Sequence, residues 1–552
     1  MLKVLPAEQL KVKNMENKKL LILGITLFSL VSCGGNSNPT TEINYGEKIN
    51  ENLQEVTPVD DKYRNYYEIF VGSFNDSNGD KMGDLKGVTL KLDYIKDLGY
   101  NGIWLMPIFQ SSSYHKYNAD NYYQIDSNYG TKDDLIELIN EAHKRDINII
   151  LDLAINHASF NNPLYIDSRE AYNKYLQYGE NSLTEEEKNY KDLFSFKTYS
   201  ASIKGRTFTS AGKYNFYVEE NFTGGGMPEF NFESTFTIEV VKEIMKYYLE
   251  LGVDGFRLDA VKYYFLNETS KNISLLNELY SYCKQINEDV YFVGECWDSE
   301  QIIGQYYESN IDSYFAFQTS TSGNGFISRS INLDGSMNSL YLEGAMNLLN
   351  MSKNNIPAPF LDNHDVSRIA KANNMPVTKF FYGLLSMLNG TTFTYYGDEI
   401  GLTGSVPSDL NVRGYMNWSD DSSKNCNSPQ GTYPSYPYDP VDKQLEDDNS
   451  ILNYYKKANY FRNKFKAISR GEILDTSKTF DENSLLVLDK TYQDEAISIV
   501  MNFSASEYYQ YDFSNTSYNE VEGQLVSDIN TYIGKIDDKV IVLPPYSIAI
   551  IK

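Results

Sequence analysis

The chain is predicted to fold as a (β/α)8 TIM barrel, with an insertion domain after the third strand and a C-terminal antiparallel β-sandwich domain. Three observations carry that prediction. Eight short apolar segments alternate with longer helical patterns. Most successive segment starts lie roughly 20–50 residues apart, the size of one strand-plus-helix unit. Several segments end in an acid, an Arg or a His, which is where a barrel presents its working groups.

The eight strand candidates are Glu68–Val71, Gly102–Met106, Ile149–Ala154, Gly255–Asp259, Tyr291–Glu295, Tyr314–Phe317, Pro359–Asn363 and Phe393–Tyr396. One helix between them is explicit in the sequence. Thr131 caps it with Asp134 three residues on, and Leu135, Leu138, Ile139 and Ala142 follow at helical spacing. About 100 residues separate the third strand from the fourth, too many for a simple loop. Residues 158–234 are therefore read as the insertion, and 61–157 and 235–467 as the two parts of the barrel. After Ile468 the helices stop. Leu485–Leu488, Ala496–Asn502, Val540–Leu543 and Ile548–Ile551 alternate as short strands, so 468–552 form the small β domain.

At the other end, Lys18-Lys19 precede an apolar run from Leu20 to Val31, too short for a comfortable membrane span. Residues 1–32 read as a secretory signal, with Met15 an alternative start. Leu30-Val31-Ser32-Cys33 resembles a bacterial lipoprotein box, which implies a lipid on Cys33; an ordinary signal peptide with an incidental Cys is the plainer reading. Residues 33–60 are polar and aperiodic and read as a tether. The expected location is the cell envelope, facing outside the cytoplasm.

Composition narrows the functional classes. Of 552 residues, 75 are acidic and 49 basic, a net charge of −26 that repels phosphate backbones and argues against a nucleic-acid partner. Hydrophobic residues at 41% and charged residues at 22% exclude wholesale disorder. Four Cys cannot build a disulfide framework, and four His make a His-rich zinc site improbable. The chain is expected to act as a monomer.

The chemistry sits at strand ends. Gly255-Phe256-Arg257-Leu258-Asp259 puts Arg257 and Asp259 on one face by alternation. Phe292-Val293-Gly294-Glu295 ends in an acid. Asp362-Asn363-His364-Asp365 follows the seventh strand, and Asp152 through Asn156-His157 the third. Each alone has an ordinary explanation as a cap, turn or ion pair; together they converge on one mouth.

These four segments resemble the sequence regions of the α-amylase family of retaining glycoside hydrolases, in family order and over essentially the whole chain after Tyr66. Gly102 to Pro107, Tyr396 to Gly401 and Asn411 to Trp418 agree as well. Met227-Pro228-Glu229-Phe230-Asn231 is similar to the version found in a subgroup between oligo-1,6-glucosidases and neopullulanases, which contains bacterial α-amylases. The resemblance implies that Asp259 is the nucleophile, Glu295 the acid and base, and Asp365 the third carboxylate, which grips sugar hydroxyls. It implies that Arg257 orients Asp259 and lowers its pKa, while Glu295 stays protonated in a less polar setting. It implies substrate contacts from Tyr117, His157, Lys262 and His364, and a supporting role for Asp152.

Two departures stand out: Tyr263 occupies a position where many α-amylases carry His, and Asn118 replaces a frequent Asp, which favours an open, endo-acting cleft. Hydrolysis of α-1,4 bonds in starch-type glucans is the expected activity. An oligo-1,6-glucosidase or α-glucosidase on the same scaffold is the alternative, and a non-catalytic starch-binding lipoprotein the alternative of another class.

Asp76-Ser77-Asn78-Gly79-Asp80-Lys81-Met82-Gly83-Asp84 follows the first strand with calcium-loop spacing. Asp76, Asn78, Asp80, the Met82 carbonyl and Asp84 are the candidate ligands of a structural Ca²⁺. A metal-free cluster of Asx-turns is the other reading.

Overall fold

The computed structural model describes residues 46–552 apart from 50, 52, 55, 57–58, 60, 199–206, 213, 223, 323–324, 327–341, 344–354, 431, 433 and 481–482. The segment 1–32, read above as a signal, and Cys33 lie outside the described residues.

Eight parallel strands form one sheet: β1 (Asn65–Ile69), β2 (Gly102–Leu105), β3 (Asn148–Leu153), β4 (Gly255–Leu258), β5 (Tyr291–Gly294), β6 (Ser313–Ala316), β7 (Ala358–Pro359) and β8 (Thr392–Tyr395). Their order is β7-β6-β5-β4-β3-β2-β1-β8. A parallel bridge between Phe360 and Phe393 joins the two ends and closes the barrel.

Alternation along each strand sorts the side chains. Tyr66, Trp104, Ile150, Val293, Phe315 and Phe393 point inward and form an apolar floor. Tyr66 is stacked between Tyr291 at 5.3 Å and Phe393 at 4.9 Å. A Cβ on Gly102 would come within 2.6 Å of the Tyr66 ring, so only glycine lets that ring lie flat. The next inward positions along β1, β3 and β4 are Glu68, Asp152 and Arg257, and β5 hands on to Glu295. The barrel is thus apolar at one end and charged at the other. Outward residues such as Ile103, Leu151, Phe256 and Leu258 join the larger core beneath the helices.

Helix α1 (Lys132–His143) begins where the sequence places it. Thr131 and Asp134 form a reciprocal capping box, and the four apolar residues are buried. In the insertion, α2 (Pro163–Tyr178) starts with an Asn162 cap and Pro163 in its first turn. Glu185–Lys191 is a second helix with a Thr184 capping box. Phe196–Lys197, Tyr217–Glu219 and Phe208–Ser210 pair into a small antiparallel sheet. Helices α3 (Thr235–Glu250), α4 (Thr269–Ile286), α5 (Met375–Ser386) and α6 (Ile451–Lys464) complete the long outer elements.

The structure departs from the sequence reading in three places. The seventh strand is two residues long rather than Pro359–Asn363. Pro359 has no N–H to give a ladder, and Asn363 Oδ1 turns back to accept the Asp365 amide at 2.9 Å. The C-terminal domain has more strands than the four predicted. One sheet is built on Leu485–Tyr492, Glu495–Asn502, Ser547–Ile551 and Val521–Val526; the other holds Gly534–Asp537, Val540–Leu543 and Tyr509–Asp512. Val487, Val500, Ile541, Leu543 and Ile551 fill the core of this domain. Finally, part of the segment read as a tether is bound to the β domain. Glu47–Lys48 pairs antiparallel with Gly534–Lys535. Glu51 accepts the Gln524 amide at 2.7 Å and pairs with Lys457. Polarity in this stretch reflects edge pairing and ion pairs rather than a free chain.

Candidate active site

Arg257 organises the charged end. Its side chain is fully buried on β4, where alternation sends it into the barrel. Nη1 donates to Asp152 Oδ1 at 2.9 Å and Oδ2 at 3.1 Å, and to Asp259 Oδ1 at 2.7 Å. Nη2 lies 3.1 Å from Glu295 Oε2. One guanidinium therefore ties together carboxylates from three adjacent strands. Past Asp259 the chain turns at once: Ala260 sits in the left-handed region at φ 48°, an uncommon conformation for a residue with a Cβ. Its amide donates to Glu295 Oε2 at 3.2 Å. The turn leaves Asp259 and Glu295 side by side at the strand ends.

A second cluster abuts the first. His364, buried, places Nδ1 against Glu68 and Nε2 3.1 Å from Asp365 Oδ2. Arg413 donates from Nη2 to Asp365 Oδ1 at 2.9 Å, from Nε to the His364 carbonyl at 3.2 Å, and from Nη1 to the Tyr114 hydroxyl at 3.0 Å. Tyr114 in turn donates to Asp409. Tyr117 joins the clusters. Its ring stacks on His364 at 5.4 Å, and its hydroxyl lies 2.6 Å from His364 Nε2 and donates to Asp152 Oδ2 at 2.9 Å.

Five carboxylates (Glu68, Asp152, Asp259, Glu295, Asp365) thus face three cations (Arg257, His364, Arg413). Negative charge is in excess, and the protonation of the site follows. Burial pushes the Glu295 carboxyl up against the pull of Arg257, and the charge on Asp259 adds to the rise. Asp259 is also pushed up by burial, with Arg257 opposing. The expected lowering of Asp259 fails because its cation is shared with Asp152 and Glu295. Asp365 goes the other way. Burial would raise it, but His364 and Arg413 hold it far below the usual carboxylate range. The ring of His364 is raised to about 10, since Asp365 and Glu68 outweigh its desolvation.

The remaining sequence candidates divide. His157 is buried beside the mouth and pushed down to about 4 by desolvation. Both its ring nitrogens lack a partner, and Phe222 of the insertion packs edge-on at 5.4 Å. Lys262 Nζ contacts the loop after β5, donating to the Trp297 carbonyl at 2.5 Å and to Asp298 Oδ2 at 3.2 Å. Asp152 has the supporting contacts that the sequence suggested.

Around Asp76, the loop's own amides occupy the proposed ligands. Asp76 accepts from Asn78, Gly79 and Lys81, Asn78 from Asp80, and Asp80 from Met82, while Asp84 accepts from Ser77 and caps a short helix at Gly87. The all-oxygen donor set suits a hard cation in kind. Among the described residues, no three acidic, His or Cys side chains converge as a metal cage.

Sequence reasoning missed Glu68 and Arg413. Glu68 carries a signal: it is the one acid inside the apolar run Tyr66 to Val71. Arg413 falls in the family-like segment Asn411 to Trp418, but that likeness does not reveal its reach to Asp365, which is set by the path of the chain after β8.

A closed (β/α)8 barrel whose mouth holds two adjacent carboxyls, a third anchored carboxylate and an aromatic platform defines a class: an enzyme built for acid–base and nucleophilic work on a polyhydroxylated substrate. The comparisons narrow the class. Residues 68–471 match the family model described as "Alpha amylase, catalytic domain". Over 501 residues the chain is 36% identical to "Alpha-amylase 3" of Dictyoglomus thermophilum, covering 89% of this chain and 93% of that protein. The solved structure of Eubacterium rectale Amy13B superposes with a TM-score of 0.81 at 34% identity, over 90% of this chain and 97% of the other. An α-amylase from H. orenii superposes at 0.74 with 28% identity, over 89% and 99%. The chain belongs to the α-amylase family of glycoside hydrolases.

Proposed function

We propose that the protein hydrolyses α-1,4-glucosidic bonds in starch-type α-glucans with retention at the anomeric carbon, acting within the chain as an endo-α-amylase. The observation that carries this reading is the single guanidinium of Arg257 bound to Asp259 and within ion-pair reach of Glu295. A retaining double displacement needs two carboxyls about 5–5.5 Å apart, and one guanidinium in contact with both keeps this pair close together.

In the first half-reaction Asp259 attacks the anomeric carbon and Glu295 gives its proton to the departing glucosidic oxygen. A glycosyl ester forms on Asp259 and the leaving chain departs as an alcohol. In the second, the Glu295 carboxylate takes a proton from water, the oxygen adds to the anomeric carbon, and Asp259 leaves as carboxylate. Asp365 grips hydroxyls of the bound sugar, His364 and His157 donate to it, and Tyr117 lies beneath it. Lys262 serves the leaving-group side by holding the Trp297 loop.

A time course of products from soluble starch, with the first-formed anomer read by NMR, tests the proposal. Rapid viscosity loss with α-configured maltooligosaccharides is expected. Glucose alone would point to the α-glucosidase reading, and a β-anomer would reject retention.

We also infer a structural Ca²⁺ at Asp76, Asn78, Asp80, Met82 and Asp84, supported by the donor chemistry of the loop. Chelation should lower the melting temperature and added Ca²⁺ restore it; an unchanged melt would remove the metal. Lipidation at Cys33 and an envelope location outside the cytoplasm complete the reading, supported by the residues around Cys33. Cys33→Ser should release the protein from membranes. Sedimentation should report a monomer.

A further inference from the structure

The hydrogen-bond directions around His364 constrain its protonation. The Tyr117 hydroxyl has one proton and gives it to Asp152 Oδ2 at 2.9 Å. Its oxygen, 2.6 Å from His364 Nε2, is then left to accept, so Nε2 carries a hydrogen. On the other side of the ring Nδ1 abuts the carboxyl of Glu68, 1% exposed, which burial pushes up while His364 and Arg257 pull it down; ionised against this ring, it calls for a second N–H. A ring with hydrogen on both nitrogens is an imidazolium.

The groups facing it agree in sign. Glu68 on β1, Asp365 beside it, Asp152 on β3 and Glu295 after β5 are carboxyls; Arg257 on β4 and Arg413 after β8 are the opposing cations. His115, across the Tyr117 loop, is pushed down to about 4 by burial and adds no charge at neutral pH. Trp104 packs edge-on at 5.6 Å and shields the pair from water.

We propose that Glu68 is a positioning residue for the reaction: from the barrel interior it holds His364 as a permanent imidazolium, with Nδ1–H fixed inward and Nε2–H aimed at Asp365, Tyr117 and the sugar. Burying this carboxylate on an otherwise apolar strand costs stability, and the return is a donor whose charge and direction are set before substrate arrives. The inference rests on the proposed glycosidase site, but its main test does not.

That test is histidine NMR of the full chain labelled at ring carbons. Four His give four signals, and His364→Asn assigns one. The signal should keep imidazolium shifts from pH 5 to above pH 8. A titration near the ordinary value of about 6.5 would overturn the proposal even if the enzyme is fully active.

Glu68→Gln provides the kinetic arm. It keeps the shape and an acceptor oxygen but removes the charge. The variant should lose several-fold more kcat at pH 8 than at pH 5.5, because its kcat gains a second ionisation on the alkaline limb, steepening from one proton to two, with KM little moved. A purely structural role would lower the melting temperature and leave the shape of the profile alone, and that result would refute the assignment. If the variant does not fold, the NMR titration of the parent decides alone.

Discussion

Two of the places where the protein buries cations treat them in opposite ways. At the barrel mouth, Arg257, His364 and Arg413 face carboxylates. At the junction between barrel and β domain, Arg462, Lys490 and Lys379 hydrogen-bond only carbonyl and amide oxygens. Arg462 donates to the carbonyls of Ser386, the last residue of α5, and of Leu388 just past it, at 3.0 and 2.6 Å. Lys490 donates to the Met387 and Ile468 carbonyls, both at 2.8 Å. Lys379 donates to Asn449 and to the Ser527 carbonyl. Arg462 and Lys490 thereby cap carbonyls at the C-terminal end of α5, where a cation suits the dipole. With no carboxylate in hydrogen-bond contact, desolvation wins, and at Lys379 it outweighs the more distant pull of Asp447 and Asp528: Arg462 falls to about 9, Lys379 to about 8, and Lys490 well below its ordinary value. At the mouth counter-charge wins, and His364 rises instead. Buried charge with a partner becomes a fixed electrostatic tool, whereas buried charge on carbonyls is a splint between domains.

Mutations should separate the two regions cleanly. Asp259→Asn removes the nucleophile while keeping its shape, so kcat on starch should fall by at least about 10⁴-fold with the melting temperature nearly unchanged. A variant within tenfold of the parent would break the assignment. Glu295→Gln should cost on the order of 10²–10⁴-fold. That loss should shrink on aryl glucosides whose leaving group needs no proton; an equal loss on both substrates would deny Glu295 the acid role. At the junction the pattern inverts. Lys490→Met leaves two carbonyls unpaired and should lower stability by about 1–3 kcal/mol, while kcat of the folded fraction stays parental. A drop in kcat without a drop in stability would mean that the junction reports to the mouth.

The mouth was legible in sequence and the junction was not, for a physical reason. Asp259, Glu295 and Asp365 each follow an apolar strand, and period-two alternation fixes the face that such residues take. Once eight strands are read, the acids fall on one rim. Arg413 and Glu68 act across long sequence separations through contacts that only the closed barrel creates, and the contacts of Lys262 with Trp297 and Asp298 likewise cross from one strand end to the next. The calcium reading rested on spacing alone, and spacing does not say whether an Asp faces an ion or its own backbone amides. Lys490 and Arg462 look like ordinary surface cations until two domains close over them. The strand at Glu47–Lys48 is equally silent, since two polar residues carry no periodicity.

The smallest effect is the most direct measure of the contrast, because the two kinds of buried cation should bend stability in opposite directions over one pH range. His364 is held at about 10 when folded and titrates near 6.5 when unfolded. Its contribution is therefore complete below about pH 6.5 and declines as pH rises toward 10. Lys379 is held at about 8 when folded and near 10.4 when unfolded. Burying its charge costs stability below pH 8, and the cost fades from pH 8 to about 10, because there the unfolded chain binds the extra proton. Urea melts of the parent, His364→Asn and Lys379→Met at pH 7, 8, 9 and 10 isolate each group as a parent-minus-variant difference. The difference should fall with pH for His364 and rise for Lys379. Two slopes of the same sign would mean that the carbonyl cage solvates Lys379 as well as carboxylates hold His364, and the distinction between tool and splint would fail.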